Sequence, residues 1–233
     1  MHGVFLTGTD TGVGKTFVGC ALTRALGRAG IPVAVRKPVE SGCERRQGIL
    51  YPADGIALAR AAGEREKLER VTPLRLAHAI SPERAARLEG IEVTIADLVE
   101  AVEAGAPGDF RLVEGAGGIL SPLALDGLNA DLAIALGLPV IVVVADRLGC
   151  INHALLTVEA IERRGLTVQA LVLNALEADA GTAMSNRDDL AARVEVPVFA
   201  FPHGRGERRA AEAAADELAE LFATSRADEV GMA

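Results

Sequence analysis

The run Thr7-Gly-Thr-Asp-Thr-Gly-Val-Gly-Lys15-Thr16 concentrates the chemistry-bearing residues of this chain. Glycines at 8, 12 and 14 let successive backbone N–H groups turn inward around an anion. The residues that follow open a helix, whose N-terminus adds a partial positive charge. Lys15 supplies a mobile cation for β- and γ-phosphate oxygens, and the Thr16 hydroxyl is a ligand suited to Mg²⁺. The spacing departs from the common pattern, since five residues separate Gly8 from Gly14 instead of four and Thr9 occupies the usual glycine position.

Other candidates lie where a strand or helix ends. Lys37 follows an apolar stretch and precedes Pro38, which biases it to extended backbone and lets its side chain project from a strand end. Ser41 and Gly42 form a turn beside it. Asp54 falls in the first turn of a short helix, a position that helix electrostatics alone would favour for an acid. Glu114 closes a strand and precedes glycines 115, 117 and 118; a carboxylate there, facing the glycine loop, suits a hard cation. Gly149-Cys-Ile-Asn-His153 leads into a helix, so its backbone donors form a second anion site. Asn174 ends a strand. Cys150 and His153 suggest a nucleophile or a metal ligand, but the four histidines lack ligand spacing and backbone donors are the better reading. Glu83 leaves two alternatives open, attraction of a cationic amine or a solvent-facing position.

The positioning elements follow from periodicity. Val4 to Thr7 is a short strand. Val18, Ala21, Leu22, Ala25 and Leu26 fall on one helical face, and Gly30 sits at a helix stop. Strands are expected at 32–39, 111–113, 139–145, 168–174 and 197–201. Helices are expected at 54–62, 82–88, 94–104 (with Thr94 as cap), 152–164 and 208–221, with a tight turn at Gly115–Gly118. The Val/Ile run 139–145 reads as a strand buried on both faces. The alternation of strand and helix implies an α/β chain of one domain, residues 1–223, with a doubly wound, mostly parallel sheet flanked by helices, followed by a frayed tail at 224–233.

Composition narrows the function. The chain has 233 residues and a net charge of −8, which disfavours nonspecific nucleic-acid binding. Half of the residues are hydrophobic and 3% aromatic, so the core is aliphatic. No apolar run is long enough for a bilayer. Three cysteines without a C-x-x-C pair fit a reducing compartment, and a cytoplasmic location is expected.

Four blocks in register, GTDTGVGKT (8–16), KPVESG (37–42), VEGAGG (113–118) and LGCINHALLT (148–157), resemble the dethiobiotin synthetase family, of P-loop NTPase type. The match spans roughly residues 3 to 175. The resemblance implies an ATP-dependent ligase of biotin biosynthesis. CO₂ and 7,8-diaminopelargonic acid form a carbamate, ATP converts it to a carbamic-phosphoric anhydride, and the second amine closes the ring to dethiobiotin, ADP and phosphate.

By the same resemblance Lys15 and Lys37 are catalytic. Gly12, Val13, Gly14, Lys15, Thr16, Phe17, Asp54, Glu114, Gly115, Ala116, Gly117, Asn174, Pro202, His203 and Gly204 bind nucleotide, with Asn174 reading the adenine edge. Thr11, Lys37, Ser41, Gly149, Cys150, Ile151 and Asn152 bind substrate, the last four from a partner subunit of a homodimer with its active site at the interface. Thr16, Asp54 and Glu114 hold Mg²⁺. Glu40 replaces the small residue often seen in its block. The principal rival is a switch ATPase of the partitioning and cell-division kind. Those proteins carry a signature lysine where this chain has Asp10, which counts against that reading.

Overall fold

Val140, Val142 and Val144 point to one side of their strand, and Ile141, Val143 and Ala145 to the other, and all six are buried. A strand with no polar face must be covered twice, and the computed structural model, which describes residues 2–104, 109–176, 185–202 and 208–230, supplies both covers.

In chain order the elements are β1 (Gly3–Gly8), α1 (Lys15–Arg28), β2 (Val33–Arg36), β3 (Val39–Glu40), β4 (Glu44–Arg46), β5 (Ile49–Tyr51), α2 (Ala53–Ala61), α3 (Leu68–Val71), β6 (Leu74–Arg75), α4 (Pro82–Leu88), α5 (Ile95–Glu103), β7 (Phe110–Gly118), β8 (Pro122–Ala124), β9 (Gly127–Leu128), α6 (Asn129–Leu136), β10 (Val140–Ala145), α7 (Cys150–Glu162), β11 (Val168–Asn174), α8 (Asn186–Ala191), β12 (Val198–Phe201) and α9 (Arg208–Val230).

Six strands form one sheet in the order β12-β11-β10-β1-β7-β2, and every pairing in it is parallel. On one face, Val4, Leu6, Leu112, Ile141, Val143 and Val172 pack against Val18, Leu22 and Leu26 of α1 and Leu218 and Phe222 of α9. On the other, Phe5, Val113, Val142, Val144 and Leu171 meet Leu98 of α5, Leu132 of α6 and Ala154, Val158 and Ile161 of α7. Each large aliphatic side chain so buried is worth about 1.5–3 kcal/mol of transfer free energy. The fold is the expected doubly wound α/β architecture. Its ligand-binding edge is the carboxyl end of the strands, and the strand order reverses beside β1.

Two expectations are corrected. The stretch 32–39 is not one strand: β2 stops at Arg36, and the chain turns at Lys37–Pro38 into β3, which leaves the main sheet to pair with β6. Pro38 has no N–H for a ladder, and the Lys37 N–H bonds instead to Val71 O at 2.8 Å. The strand expected to end at Glu114 before a tight turn instead runs on to Gly118, with a register shift against β1. Asn129, fully buried, makes this possible. Ala116 N–H donates to its Oδ1 at 2.9 Å, and its Nδ2 donates to Ala116 O at 2.8 Å and Ser121 O at 3.0 Å, so one side chain stands in for a neighbouring strand. At the other end of the chain the backbone of α9 continues helically past 221 to Val230, where fraying is expected.

Asn129→Ala strands the Ala116 N–H in the interior and is expected to cost about 2–3 kcal/mol. Urea unfolding at unchanged m-value measures the loss, and an unshifted midpoint would contradict the surrogate-strand role.

Candidate functional site

The loop between β1 and α1 owes its shape to glycine at two places. Gly12 and Gly14 hold φ of 75° and 94°, left-handed values that favour glycine. Gly14 is also pressed against β11, because a Cβ there would come within 2.0 Å of Asn174 Nδ2. That amide donates to Val13 O at 3.0 Å and so ties the loop to the end of β11. Val13 itself is buried, and its side chain belongs to the core.

At the head of α1, Lys15 is 7% exposed, and its ammonium donates to Asp10 O at 2.9 Å within the loop. Burial, and then the nearby Lys37 charge, lower its pKa to about 8. Thr16 Oγ1 donates to Glu114 Oε1 at 2.9 Å, which joins the loop to β7.

Lys37 and Glu114 form the centre of the arrangement. They are 3% and 1% exposed, and Lys37 Nζ lies 2.6 Å from Glu114 Oε1. The same ammonium donates to Gly115 O at 3.0 Å and forms an ion pair with Asp54 Oδ2 at 3.3 Å. Burial opposes a charge on Lys37, but Glu114 and Asp54 more than offset it and hold its pKa above the ordinary lysine range. Asp54, in the first turn of α2, is the most exposed of these partners.

A cleft of about 630 Å³ opens over these groups. Thr11, Gly12, Gly14, Lys15, Thr16, Lys37, Ser41, Asp54, Glu114, Ala116 and Gly117 all line it, as does Glu40, so half of the expected site residues meet in one cleft. Gly115 contributes its carbonyl to Lys37. Its own Cα is packed so that a Cβ would meet Asn129 Oδ1 at 2.5 Å. Phe17 is half exposed and edge-on to Phe201, at the end of β12 beside Pro202, with ring centroids 6.4 Å apart. Pro202 follows Phe201 in the chain and lies outside the cleft lining, while His203 and Gly204 lie outside the described residues.

Gly149, Cys150, Ile151 and Asn152 do not line the cleft of their own chain. Gly149 has φ 90° at the N-terminus of α7 and no side-chain cap. Cys150 has its side chain in the core, its thiol pKa raised chiefly by burial, and its N–H bonded to Arg147 O at 3.0 Å. A nucleophilic role for it has no support.

The structure also closes the alternative left open at Glu83. That side chain lies 3.6 Å from Arg87 and lines a separate, smaller hollow. Sequence reasoning missed Asn129, Ser121 and the 79–82 segment as parts of the site, and it gave Glu40 no role. Nothing local marks Asn129, whose partners lie 8 and 13 residues away.

A divalent cation fits the donor set. Thr16, Asp54 and Glu114 offer oxygen only, and Glu114 Oε2 is buried without a hydrogen-bond partner. Among the described residues no group of three or more His, Cys, Asp or Glu forms a cage. Such a cation would therefore depend on phosphate oxygens and water for the rest of its shell.

A protein-family model described as an AAA domain matches residues 2–201. An ATP-dependent dethiobiotin synthetase of Anaeromyxobacter dehalogenans is 50% identical over 175 residues, 75% of this chain and 77% of its own length. The chain belongs to the dethiobiotin synthetase family. Further dethiobiotin synthetases, from Aromatoleum aromaticum and Pseudomonas aeruginosa, are 42% and 43% identical over 92% and 84% of this chain, and over 96% and 87% of their own lengths. Among solved structures, the septum site-determining protein MinD of Pyrococcus horikoshii superposes with a TM-score of 0.55 at 16% identity, covering 99% of this chain and 98% of its own. At that identity the likeness shows the fold alone, so the cell-division rival rests on distant similarity, whereas dethiobiotin synthetases match in sequence over most of the chain.

Lys15 yields a pH test. A polyphosphate favours its protonated form, which is only partly populated above pH 8. ADP binding at pH 8.5 is therefore expected to take up as much as about three-quarters of a proton, and affinity to fall by up to about tenfold per pH unit above 8. Calorimetry in buffers of different ionisation enthalpy measures the uptake; none at all would mean that Lys15 is already charged.

Proposed function

We propose that this chain converts 7,8-diaminopelargonic acid, CO₂ and ATP to dethiobiotin, ADP and phosphate. The observation that carries the reading is the meeting of the phosphate loop and the Lys37–Asp54–Glu114 cluster in one cleft, in a chain of this family.

In the first step an amine nitrogen of the substrate bonds to the carbon of CO₂ and loses a proton, giving a carbamate. A carbamate oxygen then attacks the γ-phosphorus, and ADP departs. The second amine attacks the carbamoyl carbon, phosphate leaves, and the ring closes.

The residues act by position and charge. Loop N–H groups and Lys15 hold the phosphates in line with the carbamate. Lys37 lies where negative charge passes from carbamate to transferred phosphoryl, and its interaction there grows as that charge develops. Asp54 is the partner it exchanges most readily for substrate oxygen, since it is the most exposed of the three. Mg²⁺ held by Thr16, Asp54 and Glu114 would supply charge neutralisation at the β- and γ-phosphate oxygens. Ser41 and Thr11 face the diamine. Asn174, whose Nδ2 is taken by Val13 O, has an unpartnered Oδ1 suited to the amino group of adenine, with Phe17 and Pro202 assigned to the base.

A homodimer completes the site. Leu148 is 86% exposed directly before Gly149, and Leu156 is 57% exposed on α7. This apolar edge supports a reading in which residues 149–152 of a partner meet the substrate carboxylate. Light scattering at a monomer mass in the presence of substrates would remove that part. No described helix is long and apolar enough to cross a membrane, and the three cysteines are free and buried, which supports action in the cytoplasm.

Purified protein given the diamine, bicarbonate, Mg²⁺ and ATP is expected to form dethiobiotin, identified by mass. ADP release indifferent to the diamine would overturn the reading. Lys37→Gln is expected to lower turnover about 10²–10³-fold with ADP affinity within a few-fold of wild type. The rate is referred to folded protein, because Glu114 loses its counter-ion. Equal turnover would remove Lys37 from the chemistry.

A further inference from the structure

The helix that bears Asp54 starts without a cap of its own. The residue at its N-cap is Pro52, which has no side-chain acceptor, so the first-turn N–H groups of α2 need a partner from elsewhere. Glu40 supplies it from β3. Its Oε1 accepts the Asp54 N–H at 3.1 Å, and its Oε2 accepts the Gly55 N–H at 2.9 Å. Glu40 is 6% exposed. Its backbone is fixed as firmly as its side chain, since its carbonyl accepts the Leu76 N–H at 2.9 Å and the Cys43 thiol at 3.3 Å.

The result is a closed ring. Lys37 stands three residues before Glu40, across the turn into β3; the Glu40 carboxylate grips the backbone of Asp54, and the Asp54 side chain returns to Lys37 at 3.3 Å. Gly55 lets the start of α2 pack against Thr72, because a Cβ there would fall 1.9 Å from Thr72 Oγ1.

We propose that Glu40 is a positioning residue that sets the Asp54 carboxylate for the metal–nucleotide complex. The proposal rests on the reading of Asp54 as a metal ligand. Glu40 lines the cleft, but each of its oxygens already accepts an N–H from the start of α2, which assigns it to Asp54 ahead of the diamine.

The test uses the full chain with ADP and Mn²⁺ as the probe for Mg²⁺, bound metal being read by electron paramagnetic resonance. Glu40→Ala is expected to weaken Mn²⁺ binding about tenfold, the lower end of what loss of an outer-shell partner costs. Glu40→Gln, which keeps the volume, should give a smaller loss in the same direction and serves if the alanine variant does not fold. Asp54→Asn alone should weaken Mn²⁺, and adding Glu40→Ala to it should cause little further loss, because the two act as one unit. A merely structural role would leave the Mn²⁺ affinity of the folded fraction unchanged. Asp54→Asn without effect would overturn the ligand reading and the proposal with it. Asp54→Asn with an effect but Glu40→Ala and Glu40→Gln without one would overturn the proposal alone, as would equal Glu40→Ala losses in both backgrounds. A raised KM for the diamine at unchanged Mn²⁺ affinity would overturn it in favour of direct substrate contact. None of the metal measurements needs dethiobiotin to form, so they stand apart from the catalytic assay.

Discussion

The ion pair of Lys37 with Glu114 is the constraint around which the carboxyl edge of the sheet is organised. Taking both charges out of water costs several kcal/mol per ion, and attraction alone offsets that only where the remaining donors and acceptors are also met. Here they nearly are. Thr16 donates to the same carboxylate oxygen, Gly115 O accepts from the ammonium, Asp54 adds a second ion pair to it, and Glu114 Oε2 alone stays open. Four chain segments must therefore arrive together: the end of β2, the start of α1, the start of α2 and the middle of β7. Such a pair is weak evidence for stability. Its use on the proposed reading is to keep an ammonium charged, dry and next to phosphate.

That charge has a consequence for its neighbour. Lys37 is the better-paired lysine, with carboxylates on two sides, while Lys15 has a backbone carbonyl as its hydrogen-bond partner. Burial and the repulsion from Lys37 bring the Lys15 pKa down to about 8. An incoming polyphosphate reverses the balance by satisfying both lysines. The net charge of −8 is thus no obstacle to binding ATP, because the field inside a narrow cleft is set by the groups that line it and not by the sum over the surface.

The sequence made the fold legible wherever burial was two-sided or periodic. The Val/Ile run of β10, the apolar face of α1 and the glycine loop between strand and helix all left local marks. Lys37, Asp54 and Glu114 could be placed at element ends, and the cleft does gather them. What stayed hidden was long-range and single. Asn129 acts as a strand partner for β7 through bonds 8 and 13 residues distant, so the glycines of 115–118 read as a turn although they continue a strand. Glu40 caps a helix that begins 13 residues further on, where no capping pattern could show it. The short β4–β5 and β8–β9 hairpins carry no clear alternation, and they lie outside the parallel sheet.

The shared architecture with MinD shows how little the fold alone decides, since a doubly wound sheet with a phosphate loop serves both metabolic enzymes and switches. The difference lies in what the loop is built to do. In this chain the Asp10 carboxylate accepts the Thr11 N–H at 2.7 Å, and its carbonyl accepts from Lys15 at 2.9 Å, so the loop is closed by its own groups with an acid, not a lysine, at position 10. Behind it Lys37 is held by Glu114 within the same chain. On the proposed reading it is this lysine that supplies charge on the far side of the phosphate, opposite a second substrate, as a ligase requires.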